Sequence, residues 1–164
     1  LARRIQAGSS QYFSNGAGNI NLDKLDEAID SVDAQGGSKY LVMSKSARRA
    51  LSKIARANGQ IDIERTAFGY QQMVYAGLPV LELDRDHLNV AILDATPNDQ
   101  DIYVVSFGND LLTGIQNGGP QVRDLGEDTA APVLTTRVEW YCGMALINGR
   151  AAARLNGVDA TAAL

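Results

Sequence analysis

The sequence predicts an α+β fold in which helices pack on a mostly antiparallel β-sheet. Three observations support this prediction: two amphipathic helix patterns in the first third of the chain, five or six strand patterns after them, and one strand pattern of unusual length near the end. Helix signals followed by a run of strand signals are typical of α+β domains, whereas α/β domains alternate the two regularly.

Composition indicates a folded globular chain. Its 164 residues are 45% apolar and 21% charged, and the formal net charge is −4. This balance suits one domain or two small lobes and argues against a general nucleic-acid binder. The single cysteine, Cys142, has no partner for an internal disulfide and lies in an apolar stretch, which predicts a buried thiol.

The first 33 residues predict a helix end, a loop and a second helix. Leu1 to Gln11 reads as the end of a helix, and the Ser-, Asn- and Gly-rich stretch after it reads as a loop. Asn21 is a candidate N-cap for a helix from Leu22 to Asp33. Its apolar stripe leaves a solvated acidic face, made of Asp23, Asp26, Glu27 and Asp30.

A further helix is predicted from Lys45 to Ala57, after a short buried strand from Lys39 to Met43. Ser44 is its candidate N-cap, and Asn58-Gly59 is its candidate stop. The exposed side carries four cations: Arg48, Arg49, Lys53 and Arg56. Such a face permits nucleic-acid binding, but the acidic total and the absence of interleaved aromatic residues favour a structural or subunit-contact role.

The middle of the chain reads as strands and turns. Strands are predicted at Gln71 to Ala76, Pro79 to Leu83, Ile102 to Phe107, Leu111 to Gln116 and Pro120 to Leu125. The Asn117-Gly118 pair predicts that the last two of these form a hairpin. The stretch from Asp84 to Asp101 reads as a loop-rich excursion.

The stretch from Val133 to Asn148 alternates with a period of two and predicts one very long β-strand. Gly143 is the expected site of a bend or bulge, and the alternative is a pair of strands with a turn near this glycine. Trp140 and Met144 are expected in the core. After the long strand, the alanine-rich stretch from Arg150 to Leu155 predicts a short helix.

The sequence contains no recognisable catalytic constellation. His87 is the only histidine, and although Asp84 and Asp86 are near, no second His or Cys stands at metal-ligand spacing. A general acid/base site would require His87 and Asp84 to converge with Arg123 or Arg137. We therefore predict no enzymatic activity, no catalytic, cofactor-binding or metal-binding residues, and no cofactor.

Three segments, taken in order, resemble a known family. They are KYLVMSKSARRALSKIARANGQ at 39–60, YAGLPVLELD at 75–84, and IYVVSFGNDLLTGIQNGGPQVRDLGE at 102–127, the last being followed by RVEWYCGMALINGRAAARLNGV at 137–158. Their order and spacing are similar to those of the major capsid proteins of tailed bacteriophages, which have the Hong Kong 97-type fold.

The resemblance implies a structural subunit of an icosahedral bacteriophage capsid, made in the host cytoplasm and located in the virion. It would self-assemble into pentamers and hexamers around the genome. Further implied partners are scaffold, decoration or portal proteins, with no specific nucleic-acid sequence and no membrane. Residues 1–33 and 133–158 would form peripheral-lobe elements and 34–132 the axial lobe, while the family's N-terminal arm and extended loop are absent from this sequence.

Arg137 and Glu139, on the wet half of the long strand, are expected to pair across subunits. One alternative function is an encapsulin-like nanocompartment shell, which packs cargo enzymes instead of DNA. The other is an α+β small-ligand-binding domain or enzyme around His87.

Overall fold

The structure, a computed structural model, describes residues 5–33, 35–57, 62–65, 71–93, 96, 99–127 and 131–161. The helices within this part are α1 (Leu22–Ser31) and α2 (Lys45–Ala57). The strands are β1 (Tyr12–Gly18), β2 (Ser38–Ser44), β3 (Asp62–Arg65), β4 (Gln71–Tyr75), β5 (Leu78–Leu83), β6 (Gln100–Phe107), β7 (Leu112–Gln116), β8 (Gln121–Glu127), β9 (Leu134–Glu139), β10 (Cys142–Leu146) and β11 (Ala152–Val158).

Nine of these strands form one mixed sheet in the order β1-β11-β6-β2-β5-β4-β3, with β7 beside β6 and β10 beside β7. Three neighbouring pairs are parallel, namely β1 with β11, β2 with β5, and β6 with β7. Strand β6 is buried at all but its last residue, which agrees with the apolar run from Ile102 to Val105 at its centre. The predicted α+β fold is confirmed, and its main sheet is mixed.

Both helices pack on one face of this sheet. Leu25 of α1 and Leu51 of α2 belong to one buried cluster with the strand residues Leu41, Val104 and Leu155. Since alternate side chains of a strand point to opposite faces, Tyr103 and Val105 lie on the other face, in a second cluster. The sheet therefore has a large core under the helices and a smaller core behind it.

The two helices follow the local sequence signals closely. Helix α2 has the predicted bounds, and the Ser44 hydroxyl accepts a hydrogen bond of 3.1 Å from the Ala47 amide. The Asn21 side chain caps α1 by accepting from the amides of Asp23 and Lys24. Helix α1 ends at Ser31, two residues before its predicted end. The predicted stop at Asn58-Gly59 lies outside the described residues.

The start of the described chain differs from the prediction. Residues 5–11 form bends and turns where the end of a helix was expected, and the predicted loop contains β1. Residues of β1 pair in parallel with β11, as at Tyr12 opposite Arg154. This pairing joins residues far apart in sequence, so the local Asn and Gly signals for a loop do not reveal it.

The stretch from Arg150 to Leu155 was predicted as a helix, and this prediction is wrong. It comprises a single 3-10 turn at Gly149–Ala151 and the start of β11. Strand β11 lies between β1 and β6. Its alanines are fully buried there, so tertiary packing outweighs their preference for a helix.

The predicted long strand is divided into two. Strands β9 and β10 are separated at Trp140 and Tyr141, before Gly143. They belong to different sheets, because β10 pairs with β7 in the large sheet and β9 pairs with β8 in a separate two-stranded sheet. The predicted hairpin between β7 and β8 is therefore wrong as well, since each strand pairs with the other half of the divided stretch.

Candidate assembly surfaces

Strands β8 and β9 form an antiparallel two-stranded ribbon, which we call the ribbon. Val122 stands opposite Val138, and the register shifts between Asp124 and Glu127. Gly126 lies at this shift with φ +77°, a conformation that glycine adopts at little cost. Nearly every residue of both strands is exposed, so neither face of the ribbon is covered by the rest of the described chain.

The ribbon exposes several large apolar side chains to solvent. Leu134 is 78% exposed, and Val122 and Val138 are both 67% exposed. Leu134 and Val138 are four residues apart on one strand and therefore project from the same face. A two-stranded ribbon is marginally stable by itself in water. Covering this surface with a partner would therefore lower the free energy of the protein.

The ladder of β7 and β10 continues this surface. Trp140 is 56% exposed, and Met144 and Cys142 are exposed as well. The indole Nε1 of Trp140 donates a hydrogen bond of 3.2 Å to the Gln116 side chain. The predictions that Trp140 and Met144 lie in the core and that Cys142 is buried are wrong. The alternating pattern correctly predicted strands. It does not determine whether the apolar face of these strands is covered by the same molecule or by a partner.

The charged residues of the ribbon pair within the chain. Arg137 forms an ion pair with Glu139, two positions along the same strand. Arg123 stands opposite Arg137 in the register of the ribbon. In the single chain Arg137 and Glu139 therefore pair with each other, and their expected pairing across subunits stays a prediction. Like charges at directly opposite positions are unfavourable, and the carboxylate of Glu139 offsets this repulsion.

A second exposed apolar surface is the loop after β5. The Asp86 carboxylate accepts hydrogen bonds of 2.9 Å from the amides of Leu88 and Val90, and an isolated bridge joins Arg85 to Ala91. Three apolar side chains project from this ordered loop, namely Leu88, Val90 and Ile92. Residues 84–93 of the predicted excursion from Asp84 to Asp101 thus form a hydrogen-bonded loop. Residues 94, 95, 97 and 98 lie outside the described residues, and the last two residues of the excursion belong to β6.

The residues proposed for an alternative enzyme site lie on different parts of the molecule. His87 is exposed in the protruding loop, whereas Arg123 and Arg137 lie on the ribbon. Asp84 forms a 2.6 Å ion pair with Lys45 at the start of α2. Within the described residues, no group of three His, Cys, Asp or Glu side chains is placed to hold a metal ion. None of the helices described is both long and apolar enough to span a membrane.

The exposed sides of the two helices carry opposite charge. Lys45, Arg49, Lys53 and Arg56 are exposed on α2, and Asp23, Asp26, Glu27 and Asp30 are exposed on α1. The Tyr75 hydroxyl donates a hydrogen bond of 3.0 Å to Asp26. Burial, and after it this hydrogen bond, raises the pKa of Tyr75 to about 12.

A buried polar network joins the last strand to the centre of the sheet. The Arg154 guanidinium lies 2.8 Å from the Asp101 carboxylate, which also accepts hydrogen bonds from Tyr103 and Asn156. Arg154 also lies over the ring of Tyr12, at 5.8 Å from its centroid. Burial has the largest single effect and lowers the pKa of Arg154. The hydrogen bond to Asp101 and the electrostatic interactions with Tyr103, Asp101 and Tyr12 together outweigh it, so the pKa lies above its ordinary value. This network fixes β11 and β1 in place.

Comparison with known proteins gives structural relatives only. No protein-family model matches the sequence, and no curated protein matches it. The holo-SrpI encapsulin complex from Synechococcus elongatus matches with a TM-score of 0.76 and 20% identity, over 96% of this chain and 55% of that one. The capsid of the native GTA particle matches with a TM-score of 0.55 and 16% identity, over 94% and 53% of the two chains.

The capsid of the empty GTA particle has a TM-score of 0.52 and 20% identity, over 96% of this chain and 53% of that one. The chain thus spans about half the length of the shell proteins that it matches. At these identities the likeness establishes the fold, and the predicted Hong Kong 97-type fold of capsid and encapsulin proteins is confirmed.

Proposed function

We propose that this chain is a structural subunit of a closed protein shell, which self-associates into pentamers and hexamers. The observation that carries the proposal is the match to an encapsulin shell over 96% of the chain, with a TM-score of 0.76. A fold alone does not determine function, so the proposal also rests on surfaces that suit assembly.

The ribbon supplies the physical reason to assemble. Fully burying a Val or Leu side chain contributes about 1.5–3 kcal/mol, and the ribbon and the β7–β10 ladder expose several large apolar side chains. Contact with a neighbouring copy removes this surface from water and also covers a ribbon that is marginal by itself. Assembly thereby stabilises the element that makes the contact.

Within this class, the sequence motifs favour a bacteriophage capsid that encloses a genome, whereas the higher structural similarity favours an encapsulin-like compartment. Purified particles distinguish the two. A capsid yields particles with nucleic acid or a genome-packaging partner, and an encapsulin yields particles with an enclosed protein. The division into axial and peripheral lobes, the absence of catalysis, and the scaffold, decoration or portal partners remain predictions of the same proposal.

The first experiment measures the mass of the full-length protein in solution, by sedimentation velocity together with negative-stain imaging. Rings of five or six, or closed shells, are expected. A protein that stays monomeric at high concentration contradicts the proposal, and the surroundings of His87 then become the place to look for a ligand.

A variant tests whether the ribbon makes the contact. Val138→Glu places a charge on an exposed apolar position, so the monomer is expected to keep its melting temperature and to assemble at least tenfold less. Gln6→Glu is the matched control, because it adds the same charge at an exposed position in the turns before β1. Unchanged assembly of the Val138 variant would exclude this face of the ribbon from the interface.

A further inference from the structure

We propose that the basic side of α2 in one copy binds the acidic side of α1 in the next copy, so that neighbours meet head to tail. This inference rests on the proposed function, and it names the partner and the contact surfaces. We call the two surfaces the basic stripe (Lys45, Arg49, Lys53 and Arg56) and the acidic stripe (Asp23, Asp26, Glu27 and Asp30).

The basic stripe is a continuous line of charge. Its members are spaced by four, four and three residues, which places them on one side of a helix with 3.6 residues per turn. All four are exposed, and at about 1.5 Å per residue they extend over about 16 Å. No acidic residue occurs between Lys45 and Ala57, so nothing within the helix neutralises the line.

The acidic stripe has matching geometry and opposite sign. Asp23, Glu27 and Asp30 are spaced by four and three residues and lie on one side of α1, with Asp26 beside them. All four are exposed. Lys24 pairs with Glu27 at 2.6 Å, which leaves a net negative surface of about two turns, short enough to lie within the length of the basic stripe.

Contacts within the chain leave much of this charge without an opposite partner. Lys45 pairs with Asp84, and Arg48, next to the stripe, pairs with Glu82 at 3.0 Å. Arg49 and Lys53 form no ion pair with the described part of the chain, and neither do Asp23 and Asp30. The stripes therefore retain opposite charges that a second copy is able to pair.

The two helices lie apart on one face of the large sheet, α1 over β11 and β1, and α2 over β2 and β5, with β6 between the two groups of strands. Two copies that used both stripes on each other would form an isologous pair, whereas copies that use each stripe towards a different neighbour make a heterologous contact. Only the heterologous contact generates rings when the rotation between neighbours closes. Capsomers are rings, so the contact that we propose is the heterologous one.

Nucleic acid is the competing partner for a basic helix. The chain has a formal net charge of −4, and α2 has no aromatic side chain on which a base stacks. A second copy presents an acidic surface of suitable length, already placed on the same face of the sheet. These observations favour the second copy.

Charge reversal in the protein as encoded tests the contact. One variant carries Arg49→Glu and Lys53→Glu, and the other carries Glu27→Lys and Asp30→Lys. We expect each variant to fold with an unchanged circular dichroism spectrum and to assemble at least tenfold less than wild type, because like charges then face each other. A chain with all four substitutions restores opposite charges at every contact, so its assembly is expected to recover.

Mixing the two variants gives a sharper result. Contacts between unlike variants are attractive in both directions, so rings that alternate the two variants are expected, and alternation requires an even number of subunits. Rings of six should return while rings of five do not. This parity is specific to a head-to-tail contact between the stripes.

The outcomes separate this inference from the proposed function. If wild type does not assemble, the proposed function itself fails. If wild type and both variants assemble alike, the shell proposal stands and the stripe contact is excluded. If the α2 variant assembles normally but loses co-purified nucleic acid, the basic stripe binds nucleic acid and the inference is overturned.

Discussion

Asp101 accepts bonds from three side chains at the centre of the sheet, so its removal affects more than one contact. Arg154 lies 2.8 Å away with its side chain 18% exposed, and Tyr103 and Asn156 bond to the same carboxylate. Breaking a buried ion pair leaves an uncompensated charge and costs about 3–5 kcal/mol. We expect Asp101→Ala to lower the free energy of unfolding by this amount in urea denaturation.

The matched control is Asp84→Ala, which removes the same side chain from an exposed pair with Lys45. Exposed ion pairs contribute about 0–1 kcal/mol, so this variant is expected to unfold nearly as wild type does. Equal losses for the two variants would mean that burial does not govern the contribution of Asp101.

Because of Tyr75, the free energy of unfolding is expected to depend on pH in the alkaline range. Its pKa is raised to about 12, first by burial and then by the hydrogen bond to Asp26, against about 10 in an unfolded chain. A raised folded pKa means that the contribution is fully present below pH 10 and is lost as the pH rises from about 10 to 12.

We therefore expect thermal melts of Tyr75→Phe to show a shallower decline than wild type across this window. At neutral pH the variant should be less stable, since it lacks the hydrogen bond to Asp26. Tyr141→Phe, at an exposed tyrosine, should decline as steeply as wild type. The same slope in both variants would show that Tyr75 is not the group that titrates.

At the scale of elements, both helices depend on a cap at the N-terminus. Asn21 accepts from two amides of α1, and Ser44 accepts from the Ala47 amide of α2. Replacing such a cap with Ala costs about 0.5–2 kcal/mol. Ser44 also bonds to the buried Gln100 side chain at 2.5 Å. We expect both variants to unfold at lower urea concentration, with Ser44→Ala the more affected.

Ser10→Ala is the control, because Ser10 is exposed and caps neither α1 nor α2. If the loss at Ser44 equals that at Asn21, the bond to Gln100 contributes nothing beyond the cap.

The sequence predicted best those elements whose bounds are determined by residues close together in the chain. Helices α1 and α2 have caps and periodic apolar stripes within a few residues of one another, so their bounds were nearly right. Strands β1 and β11 pair with residues about 140 positions away, and neither the loop-like glycines of β1 nor the alanines of β11 carry that information. The division at Trp140 and Tyr141 was missed because alternation continues through it.

The candidate assembly surfaces were predicted less well, for a physical reason. Apolar alternation in Val133 to Asn148 predicts a strand with one face shielded from water. It does not show whether the cover belongs to the same molecule or to another. The sequence therefore predicted Trp140 and Met144 as core, whereas the described chain leaves both exposed.

For the whole molecule, the two kinds of surface have different roles in the proposed assembly. The charged stripes lie on the helical face of the sheet, and charge complementarity gives register and choice of partner. The ribbon and the β7–β10 ladder offer apolar area, which contributes most of the affinity. A shell subunit needs both, since apolar area alone would permit contacts in many orientations and thus aggregation.

Trp140 is the only tryptophan in the chain, so its fluorescence reports on the ladder without labelling. It is 56% exposed in the single chain, and iodide in solution should quench it readily. If assembly covers the ladder, quenching of Trp140 in particles is expected to fall several-fold and its emission to shift to shorter wavelength.

The Val138→Glu variant, which is expected not to assemble, is the control and should keep the emission and quenching of the monomer at every concentration. Particles in which Trp140 is quenched as strongly as in the monomer would place the ladder on an outer or inner surface of the shell, and the ribbon alone would then have to supply the apolar contact.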